Sequence, residues 1–256
     1  MPRLFKRMKT EARPEKFVLL RATKVLAQNH ENLSYALGVG VLESQTYITP
    51  LGVGIHKAHF LAKNDRKNVF NDLRQWGITD HKILVCVSRL ETLKMVDHAI
   101  LAAKVVKYSG IPFKLILVGD GREYDNLIRL AYTSGLQDEV IFAGNRDQKW
   151  IAGLMTHANI NLAPLCGRSL LEASLAGVPA VAYDVDWHNE IVIPGGTGEL
   201  VTNLDFSSLG HACVRLLEQP DYACELGRNI KNLAISLADP EIMVRKQAEI
   251  YSELIK

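Results

Sequence analysis

From residue 82 onward, short runs of β-branched and apolar residues alternate with segments whose apolar residues recur at spacings of three and four. A chain patterned this way is restricted to βαβ units around a parallel sheet, because each parallel strand needs a crossover connection before the next can pair with it. The runs at 83–87, 115–118, 140–143, 160–163 and 180–183 are nearly all apolar, as strands covered on both faces must be. A weaker run follows at Leu200 and Val201. Helices are expected between them from Ala99, Ala102, Ala103 and Val106, from Leu127, Leu130 and Ala131, and from Ile151, Leu154 and Met155. Gly110 and Gly135 stand where helix stops belong, and three further helical patterns fill the tail, punctuated by Pro220 and Pro240. The pattern predicts an α/β fold over residues 79–256, a Rossmann-like parallel sheet with helices on both faces.

Residues 1–78 break the rhythm. They carry a helical segment over 17–27, a shorter one near Leu33 and a strand at Tyr47 and Ile48. A strand with nothing to pair against is not stable alone, so this segment reads as the tail of a mostly missing N-terminal domain plus a linker. The 256 residues are also too few for two full nucleotide-binding domains, which need roughly 300 at about 150 residues per domain.

Composition removes several classes of partner and compartment. Thirty Lys and Arg against 28 Asp and Glu leave a net charge of +2, without the one-signed field that draws nucleic acid. Cys86, Cys166, Cys213 and Cys224 are widely spaced and form no C-x-x-C, which suggests neither a disulfide framework nor a zinc knuckle and makes the cytoplasm the expected compartment. No apolar run approaches the roughly 20 residues that span a bilayer, and residues 1–16 lack the apolar core of a signal peptide. Arg3, Lys6, Arg7, Lys9, Arg13 and Lys16 make that same stretch basic, and peripheral contact with the inner membrane face is an expectation that rests on this cluster.

Ligands of open parallel sheets bind at the carboxyl ends of the strands, so the residues after each run are the ones to read. Ser88-Arg89-Leu90-Glu91-Thr92-Leu93-Lys94 follows the first run with two cations able to grip phosphate. Gly119-Asp120-Gly121 follows the second, a turn that brings backbone close to a ligand and also an ordinary strand-to-helix connection. The dinucleotide fingerprint G-x-G-x-x-G is absent: Gly38 and Gly40, like Gly52 and Gly54, lack the third glycine. After the fourth run, Gly167-Arg168-Ser169-Leu170-Leu171-Glu172 places Ser169 as a helix cap, with the helix amides and Arg168 facing an anion. Glu172, one turn further in, reads either as an acceptor for a ribose or as a complement to the helix dipole. Asp184-Val185-Asp186 offers two carboxylates to a divalent metal, a short pattern that arises often by chance. His188 reads as a loop residue and Cys166 as a buried thiol.

Taken in order, these pieces resemble the donor-binding half of the retaining GT-B glycosyltransferases of family 4, the glycosyl transferases group 1. Residues 88–94 are similar to that family's G-R-L-x-x-x-K-G, residues 118–121 to its V-G-D-G, and residues 135–144 to its G-L-x-D-x-V-x-F-x-G. Gly167, Glu172, Ala173, Gly177 and Pro179 stand in register with G-x-x-x-x-E-A-x-x-x-G-x-P. Pro50-Leu51-Gly52-Val53 resembles the P-x-G-V that joins the two halves, and Glu190 and Gly198 resemble the E-I-V and T-G-x-L-V near the end. The resemblance implies that Arg89 and Lys94 contact the donor diphosphate as the catalytic pair. It also implies that Gly119, Asn145, Gly167, Arg168, Ser169, Leu170 and Glu172 line the donor site, with Asn145 and Arg146 beside the nucleobase and Glu172 on the ribose. Pro164 stands where the family places the first glutamate of Glu-x7-Glu, and Ser88 and Met95 replace two family glycines.

The implied reaction moves a hexose from a nucleotide-diphosphate sugar to an acceptor hydroxyl with retention, without metal or cofactor. Its acceptor wall would come from a longer chain or from a separate N-terminal-domain partner, and the C-terminal helix from Pro240 would pack on that missing half. Three other readings stay open: a non-catalytic nucleotide-sugar-binding or assembly subunit, a sugar-nucleotide epimerase of the same fold, and a manganese-dependent transferase using Asp184 and Asp186.

Overall fold

The computed structural model describes residues 12–49, 59–60, 67–202, 204–237 and 240–255. The joining motif expected at 50–53, and the basic residues Arg3, Lys6, Arg7 and Lys9, lie outside them. The chain begins with α1 (Ala12–Leu19), β1 (Val25–Ala27), α2 (His30–Gly38), β2 (Thr46–Ile48) and α3 (Lys67–Gln75). It continues with β3 (Lys82–Val87), α4 (Val96–Tyr108), β4 (Phe113–Val118), α5 (Tyr124–Thr133), β5 (Val140–Gly144) and α6 (Gln148–Met155). Then come β6 (Ile160–Ala163), α7 (Arg168–Ala176), β7 (Ala180–Tyr183) and β8 (Gly198–Val201). Helices α8 (Phe206–Glu218), α9 (Pro220–Leu237) and α10 (Pro240–Leu254) end it.

Strands β3 to β8 form one parallel sheet in the order β5-β4-β3-β6-β7-β8. Period-two alternation divides its core. Ile83, Val85, Ile116, Val118 and Ala163 pack on one face under α3, α6, α7 and α9. Leu84, Cys86, Leu115, Leu117 and Leu162 pack on the other under α4, α5 and α8. This is the expected α/β architecture with helices on both faces. Strand order reverses between β3 and β6, so the loops that follow these two strands open a crevice at the carboxyl edge, the position at which such sheets bind ligands.

The amino-terminal segment differs from its sequence reading in two ways. The helix expected over 17–27 ends at Leu19, and 25–27 is instead a strand that pairs in parallel with β2 through Val25–Thr46, Leu26–Tyr47 and Ala27–Ile48. The strand thought to lack a partner has one within the same segment, and backbone pairing overrides the helical spacing of a short apolar run. Helix α3 lies before the junction expected at 78/79, yet Val69 and Leu73 are buried in the same core as Ile83 and Val85. Burying two such side chains contributes about 1.5–3 kcal/mol each, enough to attach α3 firmly to the sheet. Helix α10 crosses back to the amino-terminal segment, where Glu253 accepts from Lys24 Nζ at 3.0 Å and from Tyr47 Oη at 2.8 Å. No helix among the described residues is long and apolar enough to cross a membrane.

Candidate functional site at the strand-order reversal

The loops after β3 and β4 are zipped together by backbone. Ser88 N donates to Val118 O at 3.0 Å, Leu90 N to Asp120 O at 2.9 Å, and Glu123 N to Leu90 O at 3.0 Å. Both glycines of Gly119-Asp120-Gly121 serve this approach. A Cβ on Gly119, whose φ is +138°, would lie 1.9 Å from Ser88 O, and one on Gly121 would lie 2.3 Å from Leu90 O. Gly119 N also donates to Gly144 O at 2.9 Å, which ties in the end of β5. Buried Leu90 anchors the loop from below while Arg89 stays exposed. The chain then makes a short 3-10 turn through Thr92–Lys94, and Met95 takes the left-handed conformation with φ 51°. That geometry accounts for glycine at this position in the family pattern, since only glycine adopts it without cost.

The loop after β6 closes on this one from across the crevice. Ser169 Oγ donates to Val87 O at 2.6 Å and Cys166 Sγ to the same carbonyl at 3.7 Å. Ser169 is therefore not the cap expected of it: α7 begins at Arg168, its N-cap is Gly167, and no side chain caps it. The hydroxyl joins β3 to α7 instead, because Ser169 lies inside the first turn, past the cap position from which a side chain accepts from the free amides. Lys94 is half-buried, and its charge reaches Cys166 and His188 beneath. Neither Arg89 nor Lys94 has a salt bridge or side-chain hydrogen bond among the described residues. Two cations thus stand on the loop after β3 with their donors uncommitted.

Glu172, on the second turn of α7, is 6% exposed, and its Oε1 accepts from Gln148 Nε2 at 3.0 Å. Burial raises its carboxyl above the ordinary value, opposed by the nearby Arg168 charge and by the Gln148 hydrogen bond. Gln148 opens α6, three residues after exposed Asn145, so Glu172 and the loop after β5 lie on one side of the crevice. Arg146 is engaged elsewhere. Its Nε donates to Ala143 O at 2.9 Å, its guanidinium lies 4.6 Å from the Trp150 ring centre, and Asp72 on α3 is 3.7 Å away. Asn145 is exposed there, while Gly167, Arg168 and buried Leu170 sit at the start of α7.

Sequence reasoning missed His188. It is fully buried, with Nδ1 3.0 Å from Tyr183 O and Nε2 3.0 Å from Cys166 O. The imidazole therefore spans the end of β7 and the loop that leads to α7. Burial lowers its pKa, opposed by those two carbonyls. The adjacent Trp187, also buried, was the available signal, because loops seldom carry two large rings without packing them. Beneath the crevice, Cys86 has its thiol pushed up by its hydrogen bond with Cys166 and by burial. Asp184 accepts from Asn189 at 3.1 Å, and exposed Asp186 has φ 52°. Among the described residues, no cluster of three or more His, Cys, Asp or Glu side chains converges as a metal site.

Residues 68–233 match the family model described as glycosyl transferases group 1. N-acetyl-alpha-D-glucosaminyl L-malate synthase of Bacillus anthracis is 27% identical over 189 residues, which are 72% of this chain and 49% of that protein. Among solved structures, sucrose-phosphate synthase from Thermosynechococcus elongatus aligns with TM-score 0.83 at 25% identity, over 98% of this chain and 63% of that one. Anabaena HepE, solved in complex with UDP-glucose, aligns with TM-score 0.82 at 22% identity, over 95% of this chain and 68% of that one. These structural neighbours have the GT-B fold. The chain spans about half the length of the curated relatives it matches first.

Proposed function

The chain belongs to the glycosyl transferases group 1 family, and from that membership we propose that it supplies the donor-binding half of a retaining glycosyltransferase. Its donor is a nucleotide-diphosphate sugar, from which a hexose passes to an acceptor hydroxyl. The observation that carries this reading is the pair of uncommitted cations, Arg89 and Lys94, on the loop after β3, whose strand end Ser169 ties to the start of α7 at the strand-order reversal. When the sugar departs, charge grows on the diphosphate, and preorganised cations and helix amides are what stabilise it. Glu172, a buried acceptor beside Gln148, receives the ribose hydroxyls, and Asn145 borders the base. No metal is needed in this scheme, so transfer persists in excess chelator, whereas a transferase built on Asp184 and Asp186 would stop. The acceptor wall comes from an N-terminal domain carried by a longer chain or a partner, in the cytoplasm, with the basic amino-terminal stretch resting on the inner membrane face.

Pro164 supports a second reading, a nucleotide-sugar-binding subunit without turnover, because proline offers the sugar no carboxylate. Calorimetric titration with UDP, GDP, ADP and their sugar conjugates, without metal, tests the site. Saturable binding that falls about 10- to 100-fold in both Arg89→Ala and Glu172→Ala is expected, the loss of one charge-assisted hydrogen bond each. No binding to any nucleotide would overturn the assignment. Binding without transfer when an N-terminal-domain partner is supplied would favour the second reading.

A further inference from the structure

At the opposite, amino-terminal edge of the sheet lies a cleft of about 360 Å³ between α7, α8 and α9. Its charged lining residues are Lys82, Arg228 and Lys231, and no carboxylate lines it among the described residues. Lys82 opens β3, Arg228 and Lys231 come one turn apart from α9, and Lys231 lays its stem 3.5 Å from where a Gly177 Cβ would stand. None of the three cations is ion-paired among the described residues. Lys107 and Arg215, by contrast, each hold a glutamate, at 2.8 and 2.6 Å. Asn159, also in the lining, spends its Oδ1 on Ile83 N at 2.8 Å, which leaves its amide as a donor. A cleft with three cations and a neutral donor is a marked local excess in a chain of net charge +2, and one-signed clefts focus potential on small counter-ions.

We propose that this cleft is a second binding site, for a small phosphorylated ligand, a phosphomonoester or diphosphate group held by Lys82, Arg228 and Lys231. Arginine grips a phosphate through two parallel hydrogen bonds and lysines add point charges. The volume suits a small metabolite, and the concave setting between helices favours a soluble ligand over a membrane surface. The six-residue β3 separates this edge from Arg89, about 20 Å at the usual rise per residue, so the site is independent of the donor site.

Cys224 lines the cleft and is exposed, while the other three cysteines are buried. Its rate of modification by N-ethylmaleimide therefore reports the site in the full chain. Inorganic pyrophosphate should slow that rate saturably, equally in wild type and Arg89→Ala, while sodium chloride at matched ionic strength should not. The Arg228→Ala/Lys231→Ala double variant, with circular dichroism confirming its fold, should need about 100-fold more pyrophosphate, as loss of two charge-assisted contacts requires. If that variant does not fold, Lys82→Ala is read the same way, with about a 10-fold shift. Equal slowing by chloride, slowing that survives in the variants, or loss of slowing in Arg89→Ala overturns the proposal. Protection by phosphatidylglycerol vesicles in place of pyrophosphate also overturns it, by making the cleft a lipid contact.

Discussion

Gly119 and Glu172 show how single residues set the candidate site. Gly119 lets two loops touch: alanine there would drive its Cβ to 1.9 Å from Ser88 O at φ +138°. Gly119→Ala is expected to cost more than about 2 kcal/mol in urea unfolding. Gly135→Ala, at φ +70° with nothing within 4 Å, should cost about 1 kcal/mol. Equal losses would remove the clash from the account. Glu172 carries a pH signature. Burial raises its carboxyl in the folded chain, so the unfolded chain releases this proton at lower pH. Ionisation then costs stability above the unfolded carboxyl value, about 4.3, and the full cost is reached above the raised folded value. Glu172→Gln should melt higher than wild type at pH 7, with the difference closing as pH falls below about 4. The same variant should bind nucleotide about 10-fold more weakly, through a lost charged acceptor. Identical melting at pH 7 would contradict this account of burial.

At the scale of elements, the crevice is held by cross-ties between loops that local sequence does not reveal. Ser169 joins α7 to the end of β3, and His188 joins the end of β7 to the loop before α7. His188→Leu keeps the bulk and removes the imidazole from the buried Cys166 carbonyl, while Tyr183 O keeps its bond from Val185 N at 2.9 Å, so a loss of about 2 kcal/mol in urea unfolding is expected, together with weaker nucleotide binding while Arg89 is intact. An unchanged midpoint would show that the imidazole is not a tie. Strands 160–163 and 180–183 were legible to the residue because buried parallel strands are nearly all apolar. Strand β1 was not, because three residues have too few positions for a period to separate helix from strand.

At the scale of the molecule, the amino-terminal segment is docked at two ends. His30 N donates to Glu190 Oε1 at 2.7 Å at the start of α2, and Lys24 and Tyr47 meet Glu253 on α10. Because the Glu253 contacts are exposed, they should govern local opening more than global stability. Glu253→Ala is expected to speed amide exchange severalfold in 240–254 and 25–48 while leaving 82–118 unchanged. Uniform acceleration would mean that α10 and the sheet open together.

By itself the sequence determined the alternating elements, the carboxyl-edge loops and the residue types in them, since apolar periodicity and glycine placement are local consequences of backbone geometry. It also contained Arg89, Lys94 and Glu172 as a legible order of motifs. Only the tertiary structure decided that α3 joins the core of the sheet, that β1 pairs with β2, that Ser169 turns to Val87 and that His188 is buried between two carbonyls. Each of these depends on which groups meet across long separations in the chain. That choice rests on the burial and hydrogen bonding of whole elements, which no window of sequence contains.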